Sequence, residues 1–112
     1  MLDRNERDWN RGKIIVAGDT SIGRARRVVF SGRVQGVGFR VTTREIARKF
    51  PVIGYVRNQS DGTVEVVVAG VEDDVREFIA AVTRRFEGHI SSVTETSSVI
   101  NQEYDSFEIE RS

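Results

Sequence analysis

Apolar residues recur along this chain with two alternating periods, and the switches between them mark its elements. Val28, Val29 and Phe30 form a β-branched and aromatic run closed by Ser31-Gly32, which predicts a first strand. Phe39, Thr43, Ile46, Ala47 and Phe50 follow at spacings of 4, 3, 1 and 3, one face of a helix that Pro51 stops. Val52 to Arg57 alternates around Gly54 as a second strand, and Asn58-Gln59-Ser60-Asp61-Gly62 reads as a turn with an Asp-Gly hairpin signal. Thr63 to Ala69 is a third strand with Val64, Val66 and Val68 on one face. Val75, Phe78, Ile79, Val82 and Phe86 predict a second helix. Glu72, Asp73 and Asp74 fill its first turn, Arg84 and Arg85 its last, and Gly88 marks its stop. Residues 90–100, rich in Ser, Thr and Val, suit a fourth strand, and Phe107 and Ile109 alternate with charges as a short fifth.

The order strand, helix, strand, strand, helix, strand belongs to the α+β class. It predicts a ferredoxin-like split βαβ sandwich, with two helices on one face of an antiparallel sheet. Residues 1–24 sustain no period apart from the apolar run Ile14–Ala17, which has room for a short strand. This segment is read as a flexible N-terminal extension in which Trp9 is exposed or loosely packed, and residues 25–112 as the domain. A length of 112 residues suits one domain of this kind.

Composition narrows the chemistry. There is no cysteine, so disulfides, thiolate catalysis and cysteine-bearing zinc sites are excluded. His89 is the one histidine, which leaves no multi-histidine metal centre; it follows the second helix and reads as a surface residue. No apolar run approaches the roughly 18–20 residues of a membrane span, and the charged start MLDRNERDWNRGK lacks an apolar signal core. A cytoplasmic monomer with no membrane partner is the expectation. Net charge is zero, yet residues 1–60 carry thirteen Lys/Arg against five Asp/Glu, and residues 61–112 four against twelve. The balanced total argues against a nucleic-acid coat, as does a third strand without an aromatic on which bases could stack. The basic half suits a small anionic ligand, although opposite charges meeting on the folded surface would give the same asymmetry.

Gly32-Arg33-Val34-Gln35-Gly36-Val37-Gly38-Phe39-Arg40 is a glycine-rich loop between a strand and a helix start. Such a loop can serve as a tight turn only. It can also converge several backbone N–H groups on one point, to which a helix N-terminus adds its unpaired donors and dipole. A tetrahedral oxyanion suits that cradle, and Arg40 can reach it with a planar charged fork. The pattern is neither a Walker loop nor a dinucleotide fingerprint.

GRVQGVGFR resembles the signature of the acylphosphatase family. Gly54-Tyr55-Val56-Arg57-Asn58 with Ser60-Asp61-Gly62-Thr63-Val64 resembles that family's second block, and Tyr104-x-x-Phe107-x-Ile109 its C-terminal strand. The resemblance covers about residues 26–110 and implies a ferredoxin-like enzyme that hydrolyses the carboxyl–phosphate bond of acyl phosphates. It implies Arg40 and Asn58 as the catalytic residues, and the backbone of Arg33, Val34, Gln35, Gly36 and Val37 as the phosphate cradle. Two positions depart from the family's habit: Gln59 stands where threonine often follows the asparagine, and Val71 where proline often opens the second helix. Thr42-x-x-Glu45 reads as a capping box that would start the first helix at residue 43, whereas the resemblance starts it near Phe39.

An acyl phosphate is already activated, since its leaving group is a carboxylate of low pKa. It needs its phosphoryl charge held and a water placed, and it needs no metal ion or cofactor. The implied partner is therefore a small-molecule acyl phosphate; carbamoyl, acetyl and glycolytic acyl phosphates present the same group to the loop. Read without the resemblance, Asn58 is a turn residue. The competing function is a non-catalytic ferredoxin-like module that binds an anion or a partner.

Overall fold

The computed structural model describes residues 22–101 and 104–111. Strand β1 (Ile22–Gly32) leads to helix α1 (Phe39–Ala47), then β2 (Ile53–Asn58), β3 (Val64–Ala69), helix α2 (Glu72–Arg85), β4 (Ile90–Asn101) and β5 (Phe107–Ile109). The five strands form one sheet in the order β4-β1-β3-β2-β5. The first four pair antiparallel, whereas β5 joins β2 in parallel, so the sheet is mixed at that edge. Both helices lie on one face, as the element order predicts for this α+β ferredoxin-like fold.

Between the helices and the sheet Phe30 stands 5.1 Å from Phe39, and Phe39 stacks on Phe86 at 4.3 Å between ring centroids. Phe78 meets Phe107 at 5.3 Å, with Val28, Val56, Val64, Val66 and Val82 filling the gaps. Each such side chain contributes about 1.5–3 kcal/mol on burial. Phe39, 2% exposed, therefore pins the first turn of α1 between β1 and the end of α2.

Two boundaries differ from the sequence reading. β1 begins at Ile22, inside the segment read as an extension, because Ile22, Gly23 and Arg24 pair with Asn101, Ile100 and Val99 of β4. Local pattern could not show a partner seventy-odd residues away. Trp9 and the run Ile14–Ala17 lie outside the described residues. α1 ends at Ala47 instead of running to Pro51, since Lys49 and Phe50 donate to the carbonyls three residues back, on Ile46 and Ala47, as a tightened last turn. Its start is Phe39 with Gly38 at the N-cap, so the capping box at Thr42 is not used.

β3 is buried on both faces, where the alternation suggested one. Val64, Val66 and Val68 face the helices, while on the other face Val67 and Ala69 pack with Ile100, Tyr55 and Tyr104, and Glu65 lies between Arg27 and Arg57. Glu65, 3% exposed, accepts hydrogen bonds from Arg27 Nε at 2.5 Å and Arg57 Nε at 2.7 Å, which compensates its lost hydration. That bond to Glu65 also raises the Arg57 pKa above its ordinary value.

Candidate active site

The end of β1 sets the loop. Register between β1 and β4 shifts at Ser31/Gly32, and Gly32 (φ +123°) lies so close to the His89 carbonyl and the Ser91 amide that a Cβ there would overlap them. Arg33 N–H then donates to His89 O at 2.8 Å. Val34 next door is fully buried in the core. Gly36 and Gly38 both take the left-handed conformation, φ +79°, which turns the chain into α1. Two anchors thus hold the loop's first half, and the exposed second half is shaped by backbone conformation.

Among the described residues, the N–H groups of Val34, Gln35, Gly36, Val37 and Gly38 donate to no backbone carbonyl. The N-cap Gly38 has no side chain to cap α1, so the first-turn donors of that helix add to the same set. The expected cradle is narrowed at one end: Arg33 N–H is already committed to His89, and the free donors start at Val34. His89 itself is half-buried, its ring edge-on to Phe86 at 6.1 Å, and its contribution to the loop comes from its backbone.

Arg40 sits in the first turn of α1, half-buried, and makes neither an ion pair nor a hydrogen bond among the described residues. Arg27, Arg48, Arg57 and Arg76 are by contrast paired with carboxylates. Asn58 is the last residue of β2, opposite Val64, and shares the helix-side face with Gly54 and Val56. It is half-buried, and its carboxamide likewise makes no hydrogen bond among the described residues. Asn58 stands directly before the turn, whose hydrogen bonds are made by its successors. Gln59 N–H donates to Thr63 O at 2.9 Å, Gly62 N–H to Gln59 O at 3.1 Å, and Thr63 donates through N–H and Oγ1 to Asp61 Oδ1. The Thr63 hydroxyl, with its backbone, holds the Asp61 carboxyl below its ordinary value. Gln59, the departure from the family's habit, spends its amide on Thr63 Oγ1 at 3.0 Å inside this turn.

Among the described residues, one side chain hydrogen-bonds from the loop to the turn. Gln35 Nε2 donates to Gln59 O at 2.9 Å and to Thr63 O at 2.8 Å, bridging the glycine loop to the turn that follows Asn58. The sequence reading placed Gln35 in the loop for its backbone alone; nothing in local pattern shows that a carboxamide 24 and 28 residues upstream would meet those carbonyls.

The opposite face of the sheet carries a second polar cluster. Tyr55 and Tyr104 pack ring on ring at 5.5 Å, Arg57 lies over Tyr55, and the Tyr104 hydroxyl donates to Glu110 at 2.7 Å. Burial raises both tyrosine pKa values, helped by Glu65 at Tyr55 and by Glu110 at Tyr104. Neither aromatic belongs to β3: Tyr55 is on β2 and Tyr104 precedes β5. They are occupied with each other beside Glu108 and Glu110, carboxylates that repel a phosphate backbone.

The sequence model of the family described as Acylphosphatase matches residues 26–109. The acylphosphatase of Bacillus licheniformis is 38% identical over 82 residues, 73% of this chain and 89% of its own length. That of Rhizobium etli is 44% identical over 72 residues, 64% of this chain and 77% of its own length. Among solved structures, the acylphosphatase of Bacillus subtilis superposes with a TM-score of 0.67 at 30% identity, covering 78% of this chain and 98% of its own.

Proposed function

The chain belongs to the acylphosphatase family and is an enzyme of acyl phosphate hydrolysis, and from that premise we propose how its residues perform the reaction. The backbone N–H groups from Val34 to Gly38, the first turn of α1 and the Arg40 guanidinium hold the phosphoryl oxygens. Asn58 orients the attacking water. The observation that carries this reading is the set of donors without a backbone acceptor, next in the chain to an Arg40 that makes no ion pair among the described residues, and tied by Gln35 to the turn that follows Asn58.

Water oxygen bonds to phosphorus as the bridging P–O bond breaks, and that bond's electron pair leaves with the carboxylate. Neither arginine nor asparagine titrates near neutrality, so the water's proton passes to a phosphoryl oxygen of the substrate. The chain's part is positional and electrostatic. Fixed donors stabilise the spreading equatorial charge without reorganising, and the asparagine amide, with one acceptor and two donors, fixes the line of attack. Any small acyl phosphate that exposes its phosphoryl group satisfies this arrangement.

The test is a benzoyl phosphate assay with wild type and Asn58→Ala side by side. We expect kcat to fall by roughly 10²–10⁴, about 3–5 kcal/mol of transition-state stabilisation, while inorganic phosphate still binds. Loss of phosphate affinity with kcat unchanged would reverse the assignment of roles.

A further inference from the structure

The donors proposed to hold the phosphoryl group lie on the β1–α1 loop and α1, whereas the residue proposed to orient the water closes β2. In-line attack requires these two units to keep one relative position to a fraction of an ångström. Core packing fixes the strands, but the loop is exposed from Gly36 to Gly38, and the two glycines give it backbone freedom. We propose that the Gln35 side chain is a positioning residue that locks the phosphoryl-holding loop onto the Asn58 turn, and thereby sets the line between attacking water and phosphorus.

The geometry is specific. Both protons of one amide nitrogen are spent, one on Gln59 O and one on Thr63 O. Those carbonyls are the neck of the turn, since each also accepts a backbone N–H from within it, from Gly62 and from Gln59 respectively. Gln35 therefore bonds to a rigid frame that begins one residue after Asn58. Only a donor of two hydrogen bonds fits there: a carboxylate of the same length would face two carbonyl oxygens, and an apolar side chain would leave the loop untied. Val34 anchors the loop in the core, and the Arg33–His89 bond anchors it to the turn before β4. Among the described residues, the Gln35 carboxamide makes the hydrogen bonds that tie the loop directly to the turn after β2.

The inference rests on the roles proposed above for Arg40 and Asn58, and its kinetic signature differs from theirs. The phosphate-holding unit survives intact in Gln35→Met, so KM and the phosphate Kd should change by less than about threefold. The water is misplaced, so kcat should fall by roughly ten- to a hundredfold, the order expected of an ångström-scale misalignment. Gln35→Glu should be worse than Gln35→Met above neutrality. It should recover as pH falls and the carboxyl regains a proton to donate, giving a pH–rate ionisation that wild type lacks. Circular dichroism melts and phosphate titrations accompany both variants. Wild-type kcat in folded Gln35→Met, or parallel pH profiles for Gln35→Glu and wild type, would overturn the proposal. So would collapse of the melting temperature in both variants, which would assign the side chain to the fold. If Asn58→Ala keeps wild-type kcat, the reading of the active site fails irrespective of Gln35; if Asn58→Ala is crippled while Gln35→Met is not, only the lock fails.

Discussion

Gly38 and Gly32 offer a controlled pair of substitutions, because they share a positive φ and differ in surroundings. At Gly38 (φ +79°) an added Cβ meets nothing within 4 Å, so Gly38→Ala tests backbone conformation alone. Holding an L-residue left-handed costs roughly 1–2 kcal/mol, and alanine recovers about 0.4–1 kcal/mol by restricting the unfolded chain. The net loss is about 1 kcal/mol, which for a domain of this size lowers Tm by roughly 4–8 °C. Gly38→Asn should cost less, since asparagine tolerates this region. At Gly32 (φ +123°) the Cβ lies 2.6 Å from the Ser91 amide and against the His89 carbonyl, both backbone atoms of a paired strand end that cannot swing aside. Gly32→Ala should therefore lose at least about 3 kcal/mol. Thermal melts with and without inorganic phosphate provide the assay, since the phosphate-induced rise in Tm reports affinity through mass action. If the loop of Gly38→Ala keeps its conformation, stability falls and the phosphate increment persists. If the loop relaxes, stability returns but the donors swing away and the increment shrinks. Wild-type Tm together with a wild-type increment in Gly38→Ala would refute the argument that this φ shapes the cradle, and equal losses at Gly32 and Gly38 would refute the role given to the His89–Ser91 contact.

Arg40→Lys should weaken inorganic phosphate binding and slow turnover together, because a point charge cannot replace a planar fork on a tetrahedral anion; steady-state kinetics with phosphate as competitive inhibitor reads both. Asp61 has a folded pKa held below its ordinary value by Thr63, so its contribution to stability is present above the unfolded pKa and lost as pH falls through the lower folded one. An NMR titration should find the Asp61 midpoint depressed in wild type and moved back toward the ordinary value in Thr63→Val. Removing residues 1–21 should leave turnover unchanged, whereas removal through Arg24 should lower Tm, because Ile22, Gly23 and Arg24 are paired with β4; melting curves of the two truncations decide it.

Period alone places the helices and inner strands of this protein. Phe39, Thr43 and Ala47, and Val75, Phe78, Ile79 and Val82, are buried along the faces their spacing predicts, because one stripe of each helix has to leave water wherever it packs. The glycine loop and Arg40 were legible from residue types, since glycines in a strand–helix loop and an arginine in the following turn fix local backbone and local charge whatever surrounds them; Asn58 was singled out by the resemblance of its block to the family, and by residue type alone reads as a turn residue. Contacts between elements were not legible in this way. Nothing in the alternation of β3 shows that Arg27 and Arg57, on strands either side, close over Glu65 and bury it. The extent of β1 depended on β4, and the second buried face of β3 on Ile100 and Tyr104. The commitment of the Arg33 amide to His89 and the bond from Gln35 to the Asn58 turn have the same origin. A hydrogen bond to a backbone carbonyl leaves no trace in the identity of the accepting residue, so such partners exist only once the sheet has set its register.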